Sequence, residues 1–157
     1  MDETTLRIID RIVRNFPEKR SIPSGHLVDR YYSSVELTTG DLSRLAAAAT
    51  GHLAAHPYEV AVAAGLTGVF FAVEAANGGH IALLQEDGSI YGASVKNERV
   101  ILVDDVVCSG KTLLRAKERL EGYGANVIAF TVIVDRLSPS GELDGLPVFS
   151  AYCDPLS

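Results

Sequence analysis

The sequence predicts an α/β domain with a mostly parallel sheet flanked by helices. Three observations carry that prediction. Short apolar runs rich in β-branched residues alternate with stretches of helical periodicity along most of the 157 residues, the pattern of successive strand–helix units. One run, Val100-Ile101-Leu102-Val103, is apolar at every position, as a strand covered on both faces must be. Three polar or glycine-rich loops fall where strands end rather than begin: Gly65-Leu66-Thr67-Gly68, residues 104–112, and Asp135-Arg136. Ligands of open parallel sheets bind beyond those carboxyl ends.

Taken in order, residues 4–16 bring Leu6, Ile8, Ile9, Ile12, Val13 and Phe16 onto one stripe, predicting a helix that Pro17 stops. A turn-rich passage, Ile22-Pro23-Ser24-Gly25-His26, leads to a predicted strand at 31–37. Thr39-Gly40-Asp41 offers a helix start, and Leu42, Leu45, Ala46, Ala49 and Leu53 carry the helix to about His56, with Pro57 beyond. Residues 59–64 read as a buried strand, 65–68 as a glycine-bounded turn, and 69–76 as a short apolar helix broken by Asn77-Gly78-Gly79. A strand at 81–84, the hairpin signal Asp87-Gly88 and a return strand at 89–93 follow. Beyond the 100–103 strand, a helix is predicted from Lys111 to Leu120, ended by Gly122-Tyr123-Gly124. Residues 127–134 give another strand, and the tail from Leu137 a last one at 147–152. No internal repeat or low-complexity linker divides the chain, and its length suits one domain.

Composition narrows the function classes. Fourteen basic and 20 acidic residues give a net charge of −6, without a Lys/Arg cluster, which argues against a nucleic-acid partner. The longest apolar stretch, 60–73, contains glycines and is too short to span a bilayer. The start, Met1-Asp2-Glu3, is acidic where a secretion signal would be basic. Two cysteines, Cys108 and Cys153, make neither a disulfide framework nor a zinc site. The expectation is a cytoplasmic protein with no membrane partner.

The chemistry concentrates in Val100-Ile101-Leu102-Val103-Asp104-Asp105-Val106-Val107-Cys108-Ser109-Gly110-Lys111-Thr112. A buried strand, two carboxylates, a small-residue turn and a helix start form an anion site, because free backbone N–H groups and the helix dipole both favour phosphate. Gly110-Lys111-Thr112 would also close a Walker A loop, but the first glycine of that motif is Asp105 here, and a carboxylate there would repel a wrapped triphosphate. Paired acids suit a ligand that offers hydroxyls first and one phosphate further on. The stretch resembles the phosphoribosyl-diphosphate (PRPP) motif of type I phosphoribosyltransferases. That resemblance implies the family's α/β fold. It also implies that Asp104 and Asp105 bind the ribose hydroxyls, and that Val107, Cys108, Ser109, Gly110, Lys111 and Thr112 wrap the 5-phosphate.

The likeness extends to the orotate branch of the family. Ser24-Gly25 followed by Tyr31-Tyr32 resembles its N-terminal signature, with Tyr31 and Tyr32 at the base pocket. Gly65, Leu66, Thr67 and Gly68 stand where the family has its diphosphate loop. Asp135-Arg136 is similar to its Asp-Arg, with Arg136 on the base carboxylate, and Cys108 takes the place of a base-touching threonine. The resemblance further implies Mg²⁺ bound with PRPP rather than by protein ligands alone, a small base or nucleoside monophosphate as second ligand, a homodimer, and a hood over the site formed by about residues 1–37. The core would then run over 38–136 and a tail over 137–157 of a single 1–157 domain. The physics agrees: arginine suits bidentate carboxylate capture, tyrosines can stack on a base, and the protein's task is to hold two ligands in line.

The sequence departs from that branch on the diphosphate side. Gln85-Glu86-Asp87-Gly88-Ser89-Ile90-Tyr91-Gly92 has no basic residue where the orotate enzymes carry catalytic lysines and a histidine, Pro23 replaces a lysine, and Thr67 stands where a lysine is common. Lys96 and Arg99 precede a strand. No catalytic residue is therefore assigned. Two readings stay open: an orotate-type transferase, and a catalytically weak PRPP- or nucleotide-binding regulator or accessory subunit. Among the other residues, Cys108 near a helix start invites a nucleophile reading that no neighbouring His or acid supports. His52 and His56 lack the glutamate of a zinc-protease helix, and His26 is either a pocket or a loop residue. Tyr31 and Tyr32 alternate across a strand, so at most one is expected to face the pocket.

Overall fold

The structure, a computed structural model, describes residues 1–22, 27–34, 36–51 and 53–156. In chain order its elements are α1 (Glu3–Ile12), β1 (Val13–Ser21), β2 (Leu27–Tyr32), α2 (Thr39–Thr50), β3 (Val60–Ala63), a 3-10 turn (Leu66–Gly68), α3 (Val69–Ala75), β4 (His80–Leu84), β5 (Ile90–Gly92), β6 (Arg99–Val107), α4 (Lys111–Gly122), β7 (Asn126–Asp135), β8 (Glu142–Leu143) and β9 (Leu146–Cys153). The main sheet has the order β5-β4-β3-β6-β7-β9-β8. Its five inner strands, β4 to β9 in that order, pair in parallel, and β5 and β8 close the edges antiparallel.

Strand alternation decides which helix covers which face. Ala61, Ala63, Ile101, Val103, Ala129 and Ile133 point to the side packed by α1, α2 and α3, while Val60, Val62, Val100, Leu102, Phe130 and Val132 point to α4 through Leu113, Ala116 and Leu120. All four residues of the 100–103 run are fully buried, as a two-faced central strand requires. α2 starts with a capping box: Asp41 N–H donates to Thr38 Oγ1, and Thr38 N–H donates to Asp41 Oδ2.

Four boundaries differ from the sequence expectation. The predicted 4–16 helix ends at Ile12, because Val13, Arg14 and Asn15 pair with Tyr32, Tyr31 and Arg30 in an antiparallel ribbon. Pro17 sits in the irregular stretch of that ribbon between Asn15 and Arg20, where no ladder N–H is needed. The strand expected at 31–37 is β2, which runs earlier and stops at Tyr32. The helix expected to reach His56 ends at Thr50, followed by a separate 3-10 turn, Leu53–Ala55. The central strand continues four residues past Val103, through both acids, because Asp104, Val106 and Val107 still pair with Val132, Val134 and Asp135 of β7.

Candidate ribose-phosphate site

The carboxyl end of β6 carries the two acids: Asp104 pairs with Val132 of β7, and Asp105 lies between the paired residues Asp104 and Val106. Asp104 is buried, and its Oδ1 accepts the Asp105 N–H at 2.9 Å and the Thr67 hydroxyl at 3.4 Å. Burial, and secondarily the charge of Asp105, push its pKa up to about 7. Asp105 is half-buried; its Oδ1 accepts the Val106 N–H at 2.8 Å and its Oδ2 accepts the Ser34 hydroxyl at 3.1 Å. The turn after β3 lies directly on this strand. A Cβ on Gly68 would come within 3.0 Å of both Asp104 Cα and Val103 O, so glycine is what permits the approach.

Between β6 and α4 the chain turns through Cys108-Ser109-Gly110. Gly110 has φ +82°, the left-handed region that glycine adopts freely. It caps α4 without a side-chain hydrogen bond, and the first turn of that 12-residue helix holds no acid. No acid of the helix itself offsets the positive end of its dipole, and among the described residues Lys111 N–H turns back to Ser109 Oγ at 3.3 Å. Asp104 and residues 107–112 all border one cavity of about 310 Å³. The Cys108 thiol faces it with its pKa raised by burial, the opposite of what a reactive thiolate needs.

Two more cavities flank this one. The first, about 460 Å³ and largely apolar, is lined by Tyr31, Tyr32, Ser34, Leu66, Thr67, Phe70, Asp105 and Ile133. Both tyrosines border it, contrary to the alternation argument, because it wraps the end of β2 where the chain leaves the strand. Tyr31 is stacked on Phe16, with centroids 5.1 Å apart. The second, about 480 Å³, runs from Gly65 and Leu66 past Gln85 and Glu86 to Thr112, Arg115 and Arg119. Arg115 borders this cavity and the 310 Å³ one alike. These two arginines were missed in the sequence, although their spacing from Thr112 along a helix is the signal that puts them on its face.

The acidic hairpin at 85–89 is closed on itself and held down. Gln85 N–H donates to Ser89 O at 2.8 Å and Gly88 N–H to Gln85 O at 2.9 Å. From α4, Tyr123 donates to Gly88 O at 3.0 Å and Arg119 to Glu86 O at 3.4 Å. Arg99 sits at the opposite end of β6 and is engaged by Glu59.

The Asp135-Arg136 pair divides its work. Asp135 is fully buried and accepts N–H groups from Leu137 and Gly141, shaping the turn after β7. Arg136 is 5% exposed and borders neither the 310 Å³ nor the 460 Å³ cavity. Its guanidinium donates to Asp154 O, to Arg30 O and toward Asp154 Oδ2. Asp154 went unnoticed in the sequence because its partners lie 18 and 122 positions away. Ser24, Gly25, His26 and His52 lie outside the described residues. The His56 ring packs 5.7 Å from the Phe149 ring.

Residues 73–154, just over half of the chain, match the family model described as "Phosphoribosyl transferase domain". A curated orotate phosphoribosyltransferase from Deinococcus radiodurans is 40% identical over 53 residues, 34% of this chain and 27% of that protein. A protein named transcriptional regulator GfcR from Methanospirillum hungatei is 38% identical over 55 residues, 35% of this chain and 27% of that protein. Each alignment thus spans about a quarter of its relative's length. The crystal structure of orotate phosphoribosyltransferase from Aeropyrum pernix has the same fold, with a TM-score of 0.77 and 21% identity over 95% of this chain and 93% of that one. No helix among the described residues is long and apolar enough to cross a membrane.

Proposed function

Because the chain belongs to the phosphoribosyl transferase domain family, we propose that it transfers ribose 5-phosphate from PRPP to a nitrogenous base with release of diphosphate, in the manner of the orotate enzymes it resembles. One observation carries the reading: two adjacent carboxylates at the end of β6 stand near the start of α4, which has no side-chain cap and no acid in its first turn. Asp104 and Asp105 accept from the ribose hydroxyls. The N–H groups around Ser109, Gly110, Lys111 and Thr112 receive the 5-phosphate. The base then lies toward Tyr31, Tyr32 and the 460 Å³ cavity, and the diphosphate toward Gly65, Leu66, Thr67 and Gly68.

Mg²⁺ fits as a ligand-borne ion. Among the described residues no group of three or more His, Cys, Asp or Glu side chains gathers, so a divalent ion near Asp104 and Asp105 would draw its other ligands from hydroxyls and phosphates of PRPP. It would supply charge compensation for the diphosphate. A homodimer in which loops are shared belongs to the same reading.

A second reading has its own support. The hairpin at 85–89 is acidic and pinned to α4, which opposes closure of a cationic loop over a leaving diphosphate. Some relatives carry the name of a transcriptional regulator rather than of an enzyme. In this reading the same site binds PRPP or a nucleoside monophosphate as a signal. Calorimetric titration with PRPP and Mg²⁺, followed by addition of orotate and then of neutral bases with ultraviolet detection of product, separates the two. Binding with turnover supports the transferase, and binding without turnover supports the regulator. Absence of binding by PRPP and by every nucleoside monophosphate removes both.

A further inference from the structure

We infer that the base accepted by this site carries no carboxylate, because Asp154 of the same chain already occupies the carboxylate-binding side of Arg136. The inference rests on the ribose-phosphate reading above and extends it to the class of base.

Arg136 starts beside the phosphate turn, its N–H donating to Val107 O at 2.8 Å, and its guanidinium stands next to Tyr32, which lines the 460 Å³ cavity. Every nitrogen of that guanidinium is already engaged. Nε donates to Asp154 O at 3.3 Å, Nη1 to Arg30 O at 3.0 Å, and Nη2 lies 3.4 Å from Asp154 Oδ2. Asp154 Oδ2 also accepts the Tyr32 hydroxyl at 2.6 Å, and the Arg136 guanidinium lies 5.6 Å from the centroid of the Tyr32 ring. The tail that carries Asp154 is itself bonded in place, with Asp154 N–H on Asp135 O at 2.9 Å and Leu156 N–H on Arg136 O at 3.1 Å. The latch is thus part of the fold.

The charge balance says the same. Arg30 and Arg136 face Asp29 and Asp154, with Arg30 Nε 3.1 Å from Asp29 Oδ1 and 3.9 Å from Asp154 Oδ2. Lys19 borders the same small pocket as these four side chains, but among the described residues no lysine or arginine lines the 460 Å³ cavity itself, where Asp105 adds a negative charge. A carboxylated base would have to displace Asp154, whose carboxylate is 19% exposed and would lose its guanidinium partner. A neutral base meets no such obstacle: Tyr32, Phe70 and Ile133 offer an apolar surface, and the Ser34 hydroxyl a polar contact.

The test uses the full chain and calorimetric binding of ribose 5-phosphate, of nucleoside 5′-monophosphates with neutral bases, and of orotidine 5′-monophosphate, whose pyrimidine carries a carboxylate. At least one neutral-base nucleotide should bind tenfold or more tighter than ribose 5-phosphate, while the carboxylated nucleotide binds no tighter than ribose 5-phosphate. Asp154→Asn should shift the ratio of the two affinities at least tenfold toward the carboxylated nucleotide. If that variant does not fold, the wild-type comparison decides alone. A wild-type preference for the carboxylated nucleotide, or equal binding of all the nucleotides, overturns the inference while leaving the ribose-phosphate site standing. Failure of ribose 5-phosphate and of every nucleotide to bind overturns the site and the inference together.

Discussion

Asp104 is a carboxyl group in a place that favours its neutral form. Buried and adjacent to Asp105, it has a pKa of about 7 in the folded chain, above its ordinary value. Its stabilising contribution is therefore full below the unfolded-state value, near 3.8, and is lost as pH rises through about 7. Asp104→Asn, which mimics the protonated acid in shape, should raise the melting temperature at pH 8 and change it little at pH 4, measured by circular dichroism. The ligand acts with the opposite sign. In the proposed site ribose hydroxyls would donate to the ionised carboxylate, so binding should draw the pKa down and release a proton. Affinity for ribose 5-phosphate should rise with pH up to about 7, and calorimetry in two buffers of different ionisation enthalpy should detect the released proton at pH 6. Asp105→Asn should weaken ribose 5-phosphate binding about tenfold or more, the size of one to two charge-assisted hydrogen bonds, with the melting temperature near that of the wild type. The two acids were legible because sequence neighbours announce them. The partner of Arg136 was not: Asp154 stands beyond the last strand, and only the parallel pairing of β7 with β9 brings the two together.

At the scale of the element, the turn after β3 decides how closely its backbone can approach the β6 acids. Gly68 has no room for a side chain, since its Cβ would press on two backbone atoms at 3.0 Å, whereas nothing lies within 4 Å of a Cβ at Gly65. Gly65 has φ −173°, extended backbone that any residue adopts. Gly68→Ala should therefore destabilise the fold by about 1–3 kcal/mol and weaken ligand binding by lifting the turn from Asp104. Gly65→Ala should stay within about 0.5 kcal/mol of wild type in denaturant unfolding. Equal stability of the two variants would contradict the close packing. The strands and helices were legible wherever burial imposes a period, as in 60–63, 100–103 and the α4 stripe of Leu113, Ala116 and Leu120. Boundaries slipped where backbone pairing outruns the apolar pattern. β6 keeps its ladder through two acids, and Val13 leaves a helical stripe because Tyr32 offers it a strand partner.

For the whole molecule, the open question is what covers α3. Leu66, Phe70 and Val73, spaced four and three residues apart, form an exposed apolar stripe, with 79%, 72% and 45% of their surfaces accessible. Leu66 and Phe70 also line the cavity proposed for the base. A stripe of this kind beside a ligand cavity marks an interaction surface, and the homodimer proposed above would both cover it and wall the cavity. Sedimentation at micromolar concentration should then give the mass of two chains for the wild type. Phe70→Glu should give the mass of one chain, because a carboxylate would be buried against the partner's apolar surface. Phe70 contributes little to the monomer core, so the variant should keep its circular dichroism spectrum. If the site is shared, dilution of the wild type below the dimer's dissociation constant should weaken nucleotide binding to the level of Phe70→Glu. A wild type that sediments as one chain throughout the micromolar range, and binds nucleotide as well as at high concentration, would mean that each chain builds its site alone and that the α3 stripe serves another partner.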